Sequence, residues 1–199
     1  MAKRFFEYGE KEIRHLSRIS PELGEAIERI GFIEREVEPD LFTALISSIV
    51  SQQISGRVAE VIWARLVKLV GEATPEKVSQ FSIEELRSCG LSQRKAEYIS
   101  GIAHSVTEGL LDMEMIKSLC DADFVRELTK FRGVGEWTAE MMLIFSLERP
   151  DVLSWGDLAI KKGVMKLYGL NSITREQFDV IKASFSPYNS VASLYIWEL

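Results

Sequence analysis

The stretch FRGVGEWTAEMMLIF, residues 131–145, decides the fold of this chain. Gly133 and Gly135 flank Val134, and glycine tolerates positive φ or lets another backbone approach closely. The segments on both sides, DADFVRELTK and EWTAEMMLIF, have the apolar spacing of helices. The stretch therefore predicts two helices joined by RGVG, with Val134 pointing inward to anchor the turn. For an isolated GxG pattern, a plain tight turn without further function is the alternative.

The second of these helices begins near Glu136, directly after the glycines. Its free N–H groups and the positive end of its dipole would face whatever lies beside the turn, and a phosphate fits there. Helices on both sides favour a helix-hairpin-helix, a module that grips one DNA strand through backbone amides. Such a grip needs few basic side chains. It is therefore compatible with a formal net charge of −6, which argues against a basic nucleic-acid coat.

Helical patterns continue through the rest of the chain. One apolar face predicts a helix that starts after Asp40 and ends before Gly56, and a second helix follows over residues 57–70. A short helix closes at Gly90, and the next is capped by Ser92 and stopped by Gly109. The last two helices, at about 175–185 and 189–199, are separated by Pro187. Because no alternating run is long enough for a sheet, an all-α and bilobed chain is expected.

Composition limits the class of protein. The chain has 199 residues and is 46% hydrophobic, which suffices for one sizeable core or two small lobes. No apolar run approaches the roughly 20 residues that span a bilayer. Cys89 and Cys120 are too few for a four-thiolate metal site and suit a reducing compartment. We therefore expect a cytoplasmic protein with no membrane partner, associated with the nucleoid through DNA in a prokaryote, or a nuclear protein in a eukaryote. A monomer is also expected.

Asp157 opens the helix LAIKKGVMKLYG, about twenty positions after the hairpin. As an N-cap it needs no chemical role, because aspartate is among the preferred caps. Capping is also compatible with catalysis, since helix-start amides stabilise a negative charge. His15 and His104 have no serine or cysteine partner nearby in sequence, so no nucleophilic triad is indicated. A carboxylate alone suits a cationic transition state, such as cleavage of the bond between a base and deoxyribose.

These stretches resemble the helix-hairpin-helix DNA glycosylase superfamily, and within it the 3-methyladenine DNA glycosylase II (AlkA-type) group. The resemblance rests on FRGVGEWTAEMMLIF and DVLSWGDLAIKKG, and extends to FTALISSIVSQQIS, LRSCGLSQRKAEYI and FSPYNSVASLYIW. It implies a bilobed helical fold with the active-site cleft between two helical lobes. One lobe would cover about 35–120, and the N-terminal segment with about 121–199 would form the other. The chain has no room for the N-terminal β domain of longer members.

The resemblance implies a role for each residue at a matching position. Asp157 would be the catalytic carboxylate. Trp137 stands where bifunctional relatives carry a lysine, and an indole cannot form a Schiff base, so no lyase activity is expected. Trp137 would instead line the base pocket and stack on the extruded base. Trp155 is a candidate second wall of that pocket or an ordinary core residue.

The resemblance also implies the contacts with DNA. Gly133, Val134 and Gly135 would hold the backbone, with Thr138 beside them. Gln53, in SQQIS, occupies the position that enters the minor groove, although a glutamine at a helix end is also commonly solvated. Lys161 either reaches a phosphate or belongs to the solvated face of its helix. No cofactor is required, but the backbone carbonyls of Thr129, Phe131 and Val134 match positions that hold a monovalent cation, sodium or potassium.

The expected function is that of a monofunctional DNA glycosylase of base excision repair. It would act on double-stranded DNA, extrude an alkylated purine of the 3-methyladenine and 7-methylguanine class, and hydrolyse its N-glycosidic bond to leave an abasic site. Two alternatives stay open: a non-catalytic helix-hairpin-helix module for DNA structure or abasic sites, and a helical protein-interaction domain. Asn189 departs from the family, which often has arginine there, and leaves the contact at that position open.

Overall fold

The computed structural model describes residues 3–199, in which the chain forms thirteen helices and one small strand pair. The helices, in chain order, are α1 (Glu10–Ile19), α2 (Pro21–Ile30), α3 (Leu41–Ser51), α4 (Gly56–Val70), α5 (Pro75–Val78), α6 (Ile83–Ser88), α7 (Gln93–Thr107), α8 (Met113–Ser118), α9 (Asp121–Leu128), α10 (Glu136–Phe145), α11 (Leu158–Leu167), α12 (Arg175–Phe185) and α13 (Asn189–Ile196). The mainly helical fold expected from the sequence is confirmed.

The strand pair consists of β1 (Arg4–Phe5) and β2 (Glu36–Val37), which are antiparallel. Arg4 lies opposite Val37 in this ladder. The sequence predicts no sheet because both strands are very short. Two residues per strand are too few to display the alternation by which a strand is recognised.

The helix starts follow the capping chemistry that the sequence predicts. The side chain of Asp40 accepts a hydrogen bond from the backbone N–H of Thr43 at 2.7 Å and opens α3. At the start of α7, the hydroxyl of Ser92 accepts a hydrogen bond from the backbone N–H of Lys95 at 3.3 Å. The last helix is shorter than expected, because it ends at Ile196 with Trp197 as its C-terminal cap. Capping side chains thus set the N-terminal boundaries of α3 and α7.

The chain forms two compact units. The α13 unit comprises residues up to Val37 together with Leu143–Leu199, and the hairpin unit comprises Glu38–Met142. The division near residue 120 that the sequence suggests lies inside the hairpin unit, between α8 and α9. The observed division instead falls within α10.

The α13 unit is built around one fully enclosed helix. All eight residues of α13 are buried, and α1, α2, α11 and α12 pack around it. Gly163 of α11 meets the end of α13 directly, because a Cβ at this position would lie 2.3 Å from the carbonyl oxygen of Ile196. Only glycine permits this approach, which sets α11 against the C-terminal end of α13.

The hairpin unit is organised around α7. This helix packs against α3, α5 and α6, while α4 packs against α3. The buried faces of α3 and α7 are apolar, and they include Leu45, Ile49, Ile99 and Ile102. The unit therefore has its own apolar core, and it also contains α9, the start of α10 and the glycine hairpin between them.

Within residues 3–199, the helices are too short or too polar for any of them to span a lipid bilayer.

Candidate functional site

Asp157 is the N-terminal cap of α11, as the sequence predicts. Its Oδ1 accepts hydrogen bonds from the backbone N–H groups of Ala159 at 2.7 Å and Ile160 at 3.1 Å. The residue is only 8% exposed. These two amides lie in the first turn of α11, where the helix dipole favours a negative charge. Burial together with the two amides fixes the direction of the carboxylate.

The other oxygen of this carboxylate is held by a residue distant in sequence. Trp197 donates its indole Nε1–H to Asp157 Oδ2 at 3.2 Å. The Trp197 ring is itself stacked on Phe145, with a centroid separation of 5.6 Å and an interplanar angle of 29°. Residue spacing does not predict this contact, although Trp197 closes the stretch FSPYNSVASLYIW. Both carboxylate oxygens of Asp157 are thus oriented by hydrogen-bond donors.

The loop that leads to Asp157 is fastened to α13 by two buried serines. Ser190 Oγ donates to the carbonyl of Arg149 at 2.5 Å and accepts from the N–H of Val152 at 3.0 Å. Ser193 Oγ donates to the carbonyl of Val152 at 3.0 Å. These contacts satisfy backbone groups that would otherwise be buried without partners. One helix therefore holds both the loop and, through Trp197, the carboxylate at its end.

Asn189, the first residue of α13, also binds the loop that leads to Asp157. Its Nδ2 donates to Asp151 Oδ1 at 2.6 Å and to the carbonyl of Lys182 at 3.0 Å, and the residue is 1% exposed. Where the family often has an arginine, this chain therefore has a buried structural contact.

Trp155 and Lys161, two further predicted site residues, lie against each other. Lys161 Nζ is 4.7 Å from the centroid of the Trp155 ring, and the guanidinium of Arg175 is 5.6 Å from it. Phe178 packs edge-on against the same indole at 5.2 Å. Such cation–π contacts stabilise the indole in place. The Trp155 ring thus already has two cationic side chains beside it.

The glycine hairpin has the geometry that the sequence predicts. Gly133 has φ = 88°, and Val134 between the glycines is 5% exposed, so it anchors the turn inward. The two glycines have different surroundings. A Cβ at Gly133 would lie 2.3 Å from Cδ2 of Tyr98, whereas a Cβ at Gly135 would meet nothing within 4 Å. Gly133 is therefore required by packing within the hairpin unit, and Gly135 leaves open space beside the start of α10.

The first turn of α10 carries two more predicted site residues. Trp137 is 42% exposed, which is unusual for a tryptophan. Thr138 is 4% exposed, so its hydroxyl is not presented at the surface. The first backbone bond of this helix runs from the Ala139 N–H to the carbonyl of Gly135 at 3.0 Å. The amide of Thr138 therefore has no acceptor within its own helix and is the group of this residue that suits an anion.

Gln53 lies in the short loop between α3 and α4. It is exposed and has φ = 58°, a left-handed conformation that residues other than glycine seldom adopt. The neighbouring Gln52 donates its Nε2–H to the carbonyl of Gly133 at 2.9 Å, which joins this loop to the hairpin. Lys95 Nζ donates to the carbonyls of Val50 at 2.8 Å and Gln52 at 2.6 Å. Burial lowers the pKa of Lys95. Residue type and spacing in the sequence do not predict a role for Gln52 or Lys95 at this site.

The three carbonyls that the sequence suggests for a cation belong to the turn after α9. The carbonyl of Phe131 accepts from the N–H of Val134 at 3.1 Å, and a carbonyl retains a second lone pair after one such bond. The hydroxyl of Thr129 is turned back onto the carbonyls of Val125 and Arg126, at 2.9 and 3.1 Å. The Thr129 hydroxyl thus donates within its own helix. Across residues 3–199, histidine, cysteine and carboxylate side chains form no group of three that could hold a metal ion.

Helices α9 and α10 with their glycine turn define a helix-hairpin-helix protein, and Asp157 follows the hairpin at the start of the next helix. Residues 46–183 match the family described as HhH-GPD superfamily base excision DNA repair protein. The chain belongs to this family.

Named relatives agree with this membership. DNA-3-methyladenine glycosylase 1 of Schizosaccharomyces pombe is 33% identical over 163 residues, which covers 79% of this chain and 71% of the relative. The crystal structure of a DNA-3-methyladenine glycosidase from Bacillus halodurans superposes with a TM-score of 0.85 at 36% identity, covering 98% of this chain and 91% of the other. The S. pombe 3-methyladenine DNA glycosylase in complex with abasic DNA has a TM-score of 0.82 at 30% identity, with coverage of 95% and 96%.

Proposed function

We propose that this protein is a monofunctional DNA glycosylase of base excision repair, which removes alkylated purines from double-stranded DNA. The observation that carries the proposal is the buried Asp157, whose carboxylate is oriented by three donors at the start of α11. Membership of the HhH-GPD superfamily and relatives named as 3-methyladenine glycosylases support it. They favour catalysis over a module that only binds DNA structure or abasic sites, and over a protein-interaction domain.

In the proposed reaction, Asp157 stabilises the positive charge that develops on the sugar. The C1′–N bond breaks with its electron pair going to the cationic purine, which leaves as a neutral base. Water then adds to C1′ and loses a proton, for which Asp157 is an acceptor. At about 4 Å and an effective dielectric near 20, the attraction of one charge for another is worth roughly 4 kcal/mol. That corresponds to about three decades in rate.

Trp137 provides the proposed stacking surface for the extruded base. An indole face attracts a cation, so the positively charged ring of 3-methyladenine or 7-methylguanine suits it better than a neutral base does. The exposure of Trp137 supports this role. Since an indole has no amine that could form a Schiff base with the sugar, hydrolysis without strand cleavage is the proposed outcome.

The DNA backbone is proposed to bind at the hairpin. The open space beside Gly135 allows close approach of a strand, and the backbone amides at the start of α10, including that of Thr138, favour a phosphate. Gln53 is proposed to insert into the duplex where the base has left. Trp155 is proposed as the second pocket wall, and Lys161, whose ammonium lies 4.7 Å from the centroid of its ring, is proposed to reach a phosphate.

A monovalent cation, sodium or potassium, is proposed at the carbonyls of Thr129, Phe131 and Val134, where it would add positive charge beside a bound phosphate. It is not proposed to take part in the chemistry, and no other cofactor is proposed. The protein is proposed to act as a monomer.

The deciding experiment measures release of 3-methyladenine and 7-methylguanine from methylated duplex DNA by the wild type and Asp157→Asn. Asparagine can still accept from the helix amides, so the variant is expected to fold while excision falls by roughly three decades. Asp112→Asn is the matched control, because Asp112 caps α8 by accepting from the equivalent backbone amides, those of Glu114 and Met115. Wild type that binds this DNA but releases no base would refute catalysis. Equal rates for Asp157→Asn and wild type would refute the role of Asp157 alone.

A further inference from the structure

The carboxyl end of α3 is held by a lysine from another helix. Lys95, in the first turn of α7, places its ammonium against the carbonyls of Val50 and Gln52, at 2.8 and 2.6 Å. Both acceptors are neutral, and the side chain is partly withdrawn from solvent, which lowers the pKa of Lys95. A charged donor at the last carbonyls of a helix fixes them firmly, because the negative end of the helix dipole lies there.

Gln52, whose backbone carbonyl accepts from Lys95, also contacts the hairpin through its side chain. The side chain of Gln52 donates to the carbonyl of Gly133 at 2.9 Å, so the loop after α3 and the turn before α10 are joined across 81 positions of sequence. Both ends of this connection lie within the hairpin unit.

The same face of α7 also supports the hairpin directly. Tyr98 lies one turn after Lys95, on the same side of the helix. Its ring fills the space where Gly133 would otherwise carry a Cβ, with Cδ2 only 2.3 Å from that position. One short segment of α7 thus contacts the loop through Lys95 and the hairpin through Tyr98.

Gln53 stands directly after Gln52 with its strained positive φ of 58°. A non-glycine residue keeps such a conformation only where its surroundings determine it. The bonds on the adjacent Gln52, from Lys95 to its carbonyl and from its own amide to Gly133, supply that restraint.

We propose that Lys95, Gln52 and Tyr98 are positioning residues that hold the Gln53 loop and the glycine hairpin as one preformed DNA-reading surface. This inference rests on the proposed function. A surface fixed before binding loses less conformational freedom when the duplex docks, so that more of the binding energy remains for opening the base pair. The three residues act through Gln53 and the hairpin, and none of them has to touch DNA.

The test compares one lesion in two settings. Excision of 7-methylguanine is measured under single-turnover conditions, once opposite cytosine and once opposite a tetrahydrofuran abasic analogue, where no base pair has to be broken. Lys95→Met is expected to slow excision opposite cytosine about tenfold, the size of one net hydrogen bond. Opposite the abasic analogue, the loss should stay below about threefold, because extrusion is easier there. Lys68→Met, an exposed lysine of α4 outside this surface, is the control for loss of a charge.

A second variant keeps the test decisive if Lys95→Met folds poorly in a thermal melt. Gln52→Ala removes the bond to Gly133 but leaves both carbonyl acceptors of Lys95 in place, and it is expected to show the same selective loss. In variants that fold, equal losses on the two substrates, or no loss on either, would overturn the inference. Neither result would contradict the proposed function, which fails if the wild type releases neither 3-methyladenine nor 7-methylguanine from methylated duplex DNA.

The two variants combined give a further readout. If Lys95 acts through Gln52, the double variant should be about as slow opposite cytosine as the worse single variant. Losses that multiply to about a hundredfold would show independent contributions instead, and would also overturn the inference.

Discussion

Trp197 donates its indole N–H to Asp157 across 40 positions of sequence, at 3.2 Å. The donor follows α13 and the acceptor precedes α11, two helices whose close packing depends on Gly163. The direction of the carboxylate is therefore a property of helix packing in the α13 unit as well as of local capping.

Replacing Trp197 with phenylalanine should separate the hydrogen bond from the stacking. Trp197→Phe keeps a ring against Phe145 but loses the donor to Asp157. Hydrogen bonds to charged groups are worth about 1.5–3 kcal/mol, so single-turnover excision should slow by about 10- to 150-fold. Affinity for abasic DNA should be unchanged. Trp63→Phe, in α4, serves as the control, and an unaltered rate in Trp197→Phe would contradict the assigned role.

Gly163→Ala should destabilise the protein, because the new methyl group would overlap the carbonyl of Ile196. Overpacking of this kind costs about 1–3 kcal/mol. Thermal denaturation should show a midpoint lowered by roughly 2–4 °C for each kcal/mol lost. Gly101→Ala is the matched helix-interior control, since a Cβ there meets nothing within 4 Å. It should be neutral or stabilise by up to about 1 kcal/mol. Equal melting points for the two variants would contradict this account of Gly163.

Alanine at the two hairpin glycines should have opposite consequences. Gly133→Ala introduces a β-carbon at positive φ against Tyr98, and should lower the free energy of unfolding by about 2 kcal/mol or more. Gly135→Ala should leave stability nearly unchanged but weaken binding to duplex DNA, because it fills the space that we propose a strand approaches. Denaturation and fluorescence anisotropy measure the two effects. Wild-type DNA affinity in Gly135→Ala would argue against backbone approach at this point.

Trp137→Ala should reduce excision of cationic purines by the loss of stacking, which is worth about 1–3 kcal/mol per base. The predicted decrease is therefore about 5- to 150-fold for 7-methylguanine. A neutral lesion such as hypoxanthine, if it is a substrate, should be affected less, because it lacks the cation–π contribution. Trp137→Phe should fall between the wild type and Trp137→Ala. A uniform effect on charged and neutral bases would contradict charge-selective stacking.

Local features of the sequence predicted local features of the structure. Asp40, Ser92 and Asp157 were recognisable as caps because a capping side chain bonds to amides two or three residues ahead. The glycine turn was recognisable for a similar reason, since Gly133 needs a conformation that few other residues adopt. Each of these contacts lies within a few positions of the residue that makes it.

Contacts between distant elements were not predictable in this way. Ser190 and Ser193 resemble solvated helix residues in the sequence, but both are buried in the structure. Their hydroxyls donate to backbone carbonyls of the loop before α11. Lys95 likewise resembles an ordinary exposed lysine until α7 is packed against α3. One sequence contains no signal for such pairings, because they depend on which helices become neighbours.

The full enclosure of α13 has a dynamic consequence. Amide hydrogens in a helix with no exposed face exchange with solvent only when the surrounding unit opens, so those of α13 should be among the slowest to exchange in the α13 unit. Asp157 is tied to the end of this helix, and its orientation should persist through local fluctuations. The residue proposed for chemistry is thus attached to a helix that should be among the last parts of its unit to open.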